Sequence, residues 1–149
     1  MASEISPPAP GRAGRTARGI ARVLAAAGLA VDAYVHAHLA DRYDAIVQAV
    51  SQGTLFRVEA GLAALAALLV LAWRRPVADA FAWLVAAGGL ALLLVYRYVD
   101  VGELGPVPNM YEPVWSTDKK ITAVAQVVTL VAASFLLLTR RHRPGRHRR

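Results

Sequence analysis

Imidazoles and carboxylates placed in or beside apolar runs are the residues of this chain whose types and spacing could do chemistry. Asp32, His36 and His38 fall on one stretch, Arg57 and Glu59 on the next, and Arg97, Asp100 and Gln126 further on. Asp32 and His36 are four apart and share one face of a helix, while His38 points away from it. Arg57 and Glu59, two apart, also point differently, which leaves Glu59 free to face the first helix. Arg97 and Asp100, three apart, have the spacing of an ion pair. Three chemistries fit this set. One is an internal network of salt bridges and hydrogen bonds that fixes helix register. Another is a metal centre, in which Asp32, His36, Glu59 and either His38 or Glu112 supply ligands suited to zinc or copper(II), with Met110 a soft donor for copper(I). The third is a protonatable or polar site for a lipid headgroup, a quinone or a transported ion.

Other chemistries are excluded or unsupported. The chain has no cysteine, which rules out disulfides, thiolate nucleophiles, iron–sulfur clusters and cysteine-based zinc sites. It has four histidines. His142 and His147 belong to the C-terminal tail, and His36 and His38 share one segment, so no pair of axial haem ligands from two helices is expected. There is no glycine-rich phosphate loop, Ser–His–Asp arrangement or HExxH. No catalytic residue is assigned, and enzymatic activity is not expected.

The elements that must position these residues follow from composition. The 149 residues suffice for one domain, and 56% are hydrophobic although the net charge is +7. Mean hydropathy is +0.40 and the pI about 10.6. Such values are compatible when apolar and charged residues occupy different stretches. A bilayer core needs roughly 20 apolar helical residues to cross it. Runs of that length are expected at about 19–40, 54–73, 77–99 and 120–139. They are continuous rather than alternating, so helices are predicted and a β-barrel is not. The basic residues before the first run imitate a signal peptide, but helical character continues through Tyr43, which favours a retained span. Residues 1–18, rich in Pro, Gly and Arg, are expected to be a disordered basic tail, and 140–149 a polybasic one. The loop GELGPVPNMYEPVWSTDKK is stiffened by prolines and carries Tyr111 and Trp115 as interfacial anchors. Thr117 or Asp118 is expected to cap the last helix. Small residues spaced by four (Ala60 and Ala64; Ala63 and Ala67; Ala78, Ala82 and Ala86) offer ridges for helix packing.

Basic residues set the expected orientation. The N-terminal tail, the Arg74–Arg75 turn and the C-terminal tail contain all of the 17 Lys and Arg except Arg42, Arg57, Arg97, Lys119 and Lys120. Both termini and the short turn are therefore expected in the cytoplasm, and both longer connections outside. This places the polar residues in the outer half of the bundle and leaves the inner half nearly pure hydrocarbon. Unpaired charge there costs at least about 2.5–3.5 kcal/mol, so such residues should face one another. Arg140, Arg141, Arg143, Arg146, Arg148 and Arg149 would attract anionic lipid by about 1 kcal/mol each. No aromatics interleave them, so no nucleic acid is expected.

The segments VDAYVHAHLADRYDAIVQAVSQGTLFRVEAG and GELGPVPNMYEPVWSTDKKITAVAQ resemble small uncharacterised four-helix membrane proteins of actinobacteria. The resemblance implies a multi-pass plasma-membrane protein and carries no activity or ligand. It singles out Asp32, His36, Tyr43, Asp44, Gln52, Glu59, Tyr111, Glu112 and Trp115. The expectation is thus an all-α membrane protein, a four-transmembrane-helix bundle with both termini inside and an ordered outer loop between helices 3 and 4. Its expected role is an accessory or scaffold subunit of an envelope complex, with a membrane protein or a second copy as partner. The alternative is a metal- or small-ligand-binding protein. Candidate residues are Asp32, His36, Glu59, Arg57, Arg97, Tyr111, Glu112 and Trp115, with His36, His38, Asp32 and Glu59 for a metal.

Overall fold

The computed structural model describes residues 11–141. Four α-helices run through the described residues: α1 (Gly11–Ala40), α2 (Gln52–Ala72), α3 (Pro76–Tyr98) and α4 (Thr117–Arg141). A single 3₁₀ turn, Asp41–Tyr43, extends α1. Each helix is long and apolar enough to cross a bilayer, which makes the chain a multi-pass membrane protein by length and composition. Each helix packs beside its sequence neighbours, and α4 closes the ring against α1.

Local signals set the boundaries. Ser51 caps α2 by accepting the Thr54 backbone N–H at 3.0 Å. Pro76 opens α3 at the position where its missing N–H costs nothing. The cap of α4 is Ser116, whose Oγ accepts from Lys119 N at 3.2 Å, rather than Thr117 or Asp118. The largest departure is at α1, which is already helical at Gly11, the first described residue, so residues 11–18 extend the first span instead of belonging to a disordered tail. Their partners lie far along the chain: the Arg18 guanidinium donates to the Leu136 carbonyl at 3.0 Å and to the Thr139 hydroxyl.

The bundle is small-residue inside and large-residue outside. Ala25, Ala63, Ala66, Ala78, Ala82, Ala86 and Ala133 are fully buried, while Leu68, Leu84, Leu92, Val124, Val131 and Leu138 are exposed. Water would not tolerate that arrangement over a whole surface; lipid does, and small interior residues let helices approach closely. Of the alanine ridges, Ala63–Ala67 and Ala78–Ala82–Ala86 face inward, whereas Ala64 is exposed. Where α1 crosses α4 the approach is close at Gly28, where an added Cβ would strike the Thr129 hydroxyl and the Ala125 carbonyl oxygen.

The termini end of the bundle also carries the α2–α3 turn, since Arg140 donates to the Arg74 carbonyl. At the opposite end, the two long connections clasp each other. Ala49 and Val50 N–H both donate to the Pro106 carbonyl, at 3.2 and 3.1 Å. Asp100 Oδ1 accepts from Gly102 N and Asn109 Nδ2, and Glu112 N donates to the Tyr96 carbonyl. Gly102 and Gly105 adopt φ of 67° and 59°, the left-handed region open to glycine. The loop between α3 and α4 is therefore tied down at several points.

Candidate functional site

Near the loop end, polar side chains from three helices, two of them from α1, meet inside the bundle, and the fourth helix makes room. The inward stripe of α1 (Ala21, Arg22, Ala25, Leu29, Asp32) carries Asp32 into the interior, where it is 1% exposed. His36, one turn later, puts Nδ1 at 3.1 Å from Asp32 Oδ1 and 3.0 Å from the Asp32 carbonyl. From α4, Gln126 is equally buried and donates Nε2–H to Asp32 Oδ1 at 3.1 Å. Glu59 on α2 turns its carboxyl towards Asp32 and His36. Gly89 on α3 leaves the space: a Cβ there would meet both Gln126 and Glu59.

The hydrogen bonding of this cluster is incomplete. Asp32 Oδ2, Glu59 Oε1 and Gln126 Oε1 are buried with no partner among the described residues. All three are acceptors. Phe56 covers the loop side, edge-on to His36 at 5.3 Å and tilted against Tyr43 at 5.0 Å.

The remaining candidates lie elsewhere. His38 is exposed on another face, stacked on Tyr34 at 5.8 Å. Among the described residues, no set of three or more His, Asp and Glu is arranged to hold a metal ion. Arg57 turns out of the bundle and forms a two-pronged pair with Asp44 at 2.8 and 2.7 Å, with Asp41 at 2.7 Å. Arg97 does not pair with Asp100, because α3 ends at Tyr98 and the helical spacing lapses. It stacks instead on Tyr98 and Trp115. Glu112 pairs with Lys119 at 2.9 Å and accepts from the Tyr43 hydroxyl at 3.4 Å. Tyr111 is exposed.

Asp44 lies in the connection after α1, and the Arg57 guanidinium beside it holds its carboxyl below the usual carboxylate range. A lowered native pKa stabilises above the ordinary carboxylate value, and the gain is lost as pH falls through the lowered one. Amide exchange over residues 44–53 is therefore expected to be slower in wild type than in Arg57→Ala at about pH 6. The difference should shrink as pH falls well below about 4. Equal protection at both pH values in the two proteins would count against this clamp.

The expectation that the other half of the bundle is nearly pure hydrocarbon is overturned. Asp79, 0% exposed, receives Arg22 Nη1 at 3.0 Å and Nη2 at 3.4 Å. Arg22 also donates to the Val70 carbonyl at 2.7 Å, and Arg140 Nε lies 3.3 Å from Asp79 Oδ2. Arg22, whose charge counts with the N-terminal tail in setting the expected orientation, is buried within α1. Arg140, assigned to anionic lipid, turns back into the bundle, and Arg143, Arg146, Arg148 and Arg149 lie outside the described residues. Asp79 had a visible signal: it is the lone acid of an otherwise apolar run, Val77–Val95.

Fold and site together define an all-α, membrane-spanning four-helix bundle with a buried polar cluster near each end. No known protein family, curated protein or solved structure matches the chain. The resemblance to actinobacterial four-helix proteins thus gains no family assignment, and what stands is four spans long and apolar enough for a bilayer.

Proposed function

We propose that this is a plasma-membrane protein, with its termini and the α2–α3 turn cytoplasmic, that binds a proton in the outer half of its bundle. One observation carries the reading: three buried acceptor oxygens, on Asp32, Glu59 and Gln126, with no donor between them. Leaving buried acceptors unpaired costs roughly 1–3 kcal/mol each, and two ionised carboxylates repel in a medium of low dielectric. A proton on Glu59 converts one acceptor into a donor, cancels one charge and needs no extra volume. His36, whose side chain is 16% exposed and adjoins Asp32, is the natural route between this proton and the loop-end surface. The retained basic bias at the termini end supports the orientation.

Infrared difference spectroscopy of the purified chain tests the site. Wild type at neutral pH should show the carbonyl band of a protonated carboxylic acid, shifted in heavy water and absent in Glu59→Gln. A spectrum without such a band, or one unchanged in Glu59→Gln, would refute the assignment.

A second reading, an accessory or scaffold subunit of an envelope complex, draws support from an apolar groove of about 670 Å³ between α1 and α2. Ala27, Ala30 and Ala64 floor it, and small residues favour helix–helix contact in lipid. Purification in mild detergent should then retain a membrane partner; a lone monomer would oppose it.

A further inference from the structure

Arg97 is a half-buried cation to which the described residues offer aromatic rings but no acceptor. Arg22, Arg57 and Arg140 each reach a carboxylate, and Arg18 reaches carbonyl and hydroxyl oxygens. Arg97 has no hydrogen bond and no ion pair among the described residues, and its Nε is shut away with no acceptor. The carboxylate whose spacing suggests it as a partner, Asp100, is engaged by Gly102 N at 3.1 Å and Asn109 Nδ2 at 2.8 Å. Yet the guanidinium is not loose. It lies over the Tyr98 ring at 4.8 Å and the Trp115 ring at 5.6 Å, and these two rings meet at a steep angle 6.4 Å apart.

The position of this assembly narrows its ligand. Arg97 is the penultimate residue of α3, at the end of a span, where Trp and Tyr sit at headgroup depth. Tyr98 is 63% exposed on the lipid-facing side. An arginine there presents a planar fork of N–H donors that matches an oxyanion in two-pronged fashion. Aromatic faces fix the fork without neutralising it. The oxyanion found at that depth is a phosphodiester.

We propose that Arg97, shelved by Tyr98 and Trp115, binds the phosphate of a phospholipid headgroup at the loop end of the bundle. The guanidinium donates to two phosphate oxygens, Trp115 and Tyr98 flank the glycerol region, and the acyl chains run down the lipid-facing surface of α3. The site is distinct from the proton site, since no hydrogen bond or ion pair among the described residues joins Arg97 to Asp32, His36, Glu59 or Gln126.

Trp115 reports on the site once Trp73→Phe and Trp83→Phe leave it as the sole tryptophan. The full chain, in an uncharged maltoside detergent, is titrated with phosphatidylglycerol, diacylglycerol or inorganic phosphate while Trp115 fluorescence is followed. Phosphatidylglycerol should give a saturable change that diacylglycerol does not. Arg97→Gln should weaken it by about tenfold or more, Arg97→Lys by less, and Arg42→Gln not at all. Arg97→Gln removes no ion pair or hydrogen bond, only the stacking on Tyr98 and Trp115, so its melting temperature should stay within a few degrees of wild type. Unchanged affinity in Arg97→Gln, or an equal response to diacylglycerol, would overturn the proposal. Inorganic phosphate binding as tightly as phosphatidylglycerol would overturn the lipid as its source.

Discussion

Asp79→Ala is expected to lower stability by about 3–5 kcal/mol, the usual cost of stranding a buried charge by removing its partner. Asp79 is 0% exposed and Arg22 nearly as buried, with an 8% exposed side chain. Without the carboxylate, Arg22 keeps only the Val70 carbonyl, at 2.7 Å, and Arg140 loses its reason to turn inward. Like-charged guanidiniums would then face each other in a low dielectric. The loss should appear as a large fall in melting temperature in detergent and as poor accumulation in membranes. Asp79→Asn keeps one acceptor and should fall between wild type and the alanine variant. Arg22→Met combined with Asp79→Leu removes both charges and should recover much of the loss, since well-packed apolar replacements of buried ion pairs are often neutral or better. An Asp79→Ala protein that melts with wild type would show that this cluster does not hold the bundle together.

Gly28→Val is expected to be the next most damaging change. The added Cβ would strike the Ala125 carbonyl oxygen as well as the Thr129 hydroxyl. A hydroxyl can rotate away; a helix backbone cannot, so α1 and α4 must separate. Overpacking of this kind costs about 1–3 kcal/mol, sometimes more. The separation would also weaken the contact of Thr129 Oγ1 with the Ala25 carbonyl, now 3.3 Å. Gly61 and Gly88 are the controls, because nothing lies within 4 Å of a Cβ added at either. Alanine there should be neutral or stabilising by up to about 1 kcal/mol, the helix-propensity difference. If Gly28→Val and Gly88→Ala melted alike, the close crossing of α1 and α4 would be refuted.

The spans were legible because hydrocarbon length is a property of single stretches. Thr54 as against Gln52, and Lys120 as against Thr117, are errors of a few residues at capped ends, where polar caps fall outside an apolar window. The start of α1 was not legible. Gly11–Arg18 has a tail's composition, and what holds it, the Leu136 carbonyl and Thr139, lies more than a hundred residues away. The same division applies to the site. Asp32 and His36 share a face by spacing alone, and Glu59 was free to meet them. Which acceptors lack donors depends on Gln126 and on the room left by Gly89, and both are tertiary facts. His38 and Arg97 were grouped with the site by depth, although their rotation about the helix takes them to other faces. Asp79 reads locally as an acid at a helix start, favoured by the helix dipole; only the arrangement of three helices shows it as a counter-ion.

That arrangement bears on how the protein is made. Asp79 follows Arg22 by 57 residues, so α1 leaves the ribosome as a hydrophobic helix carrying a cation whose neutraliser has not yet been synthesised. The nascent α1 must linger beside the translocon, or at the wet rim of the bilayer, until α3 arrives. Release of the first span into lipid is thereby linked to synthesis of the third, and a chain stalled after α2 would be left with an unquenched charge for quality-control proteases to recognise.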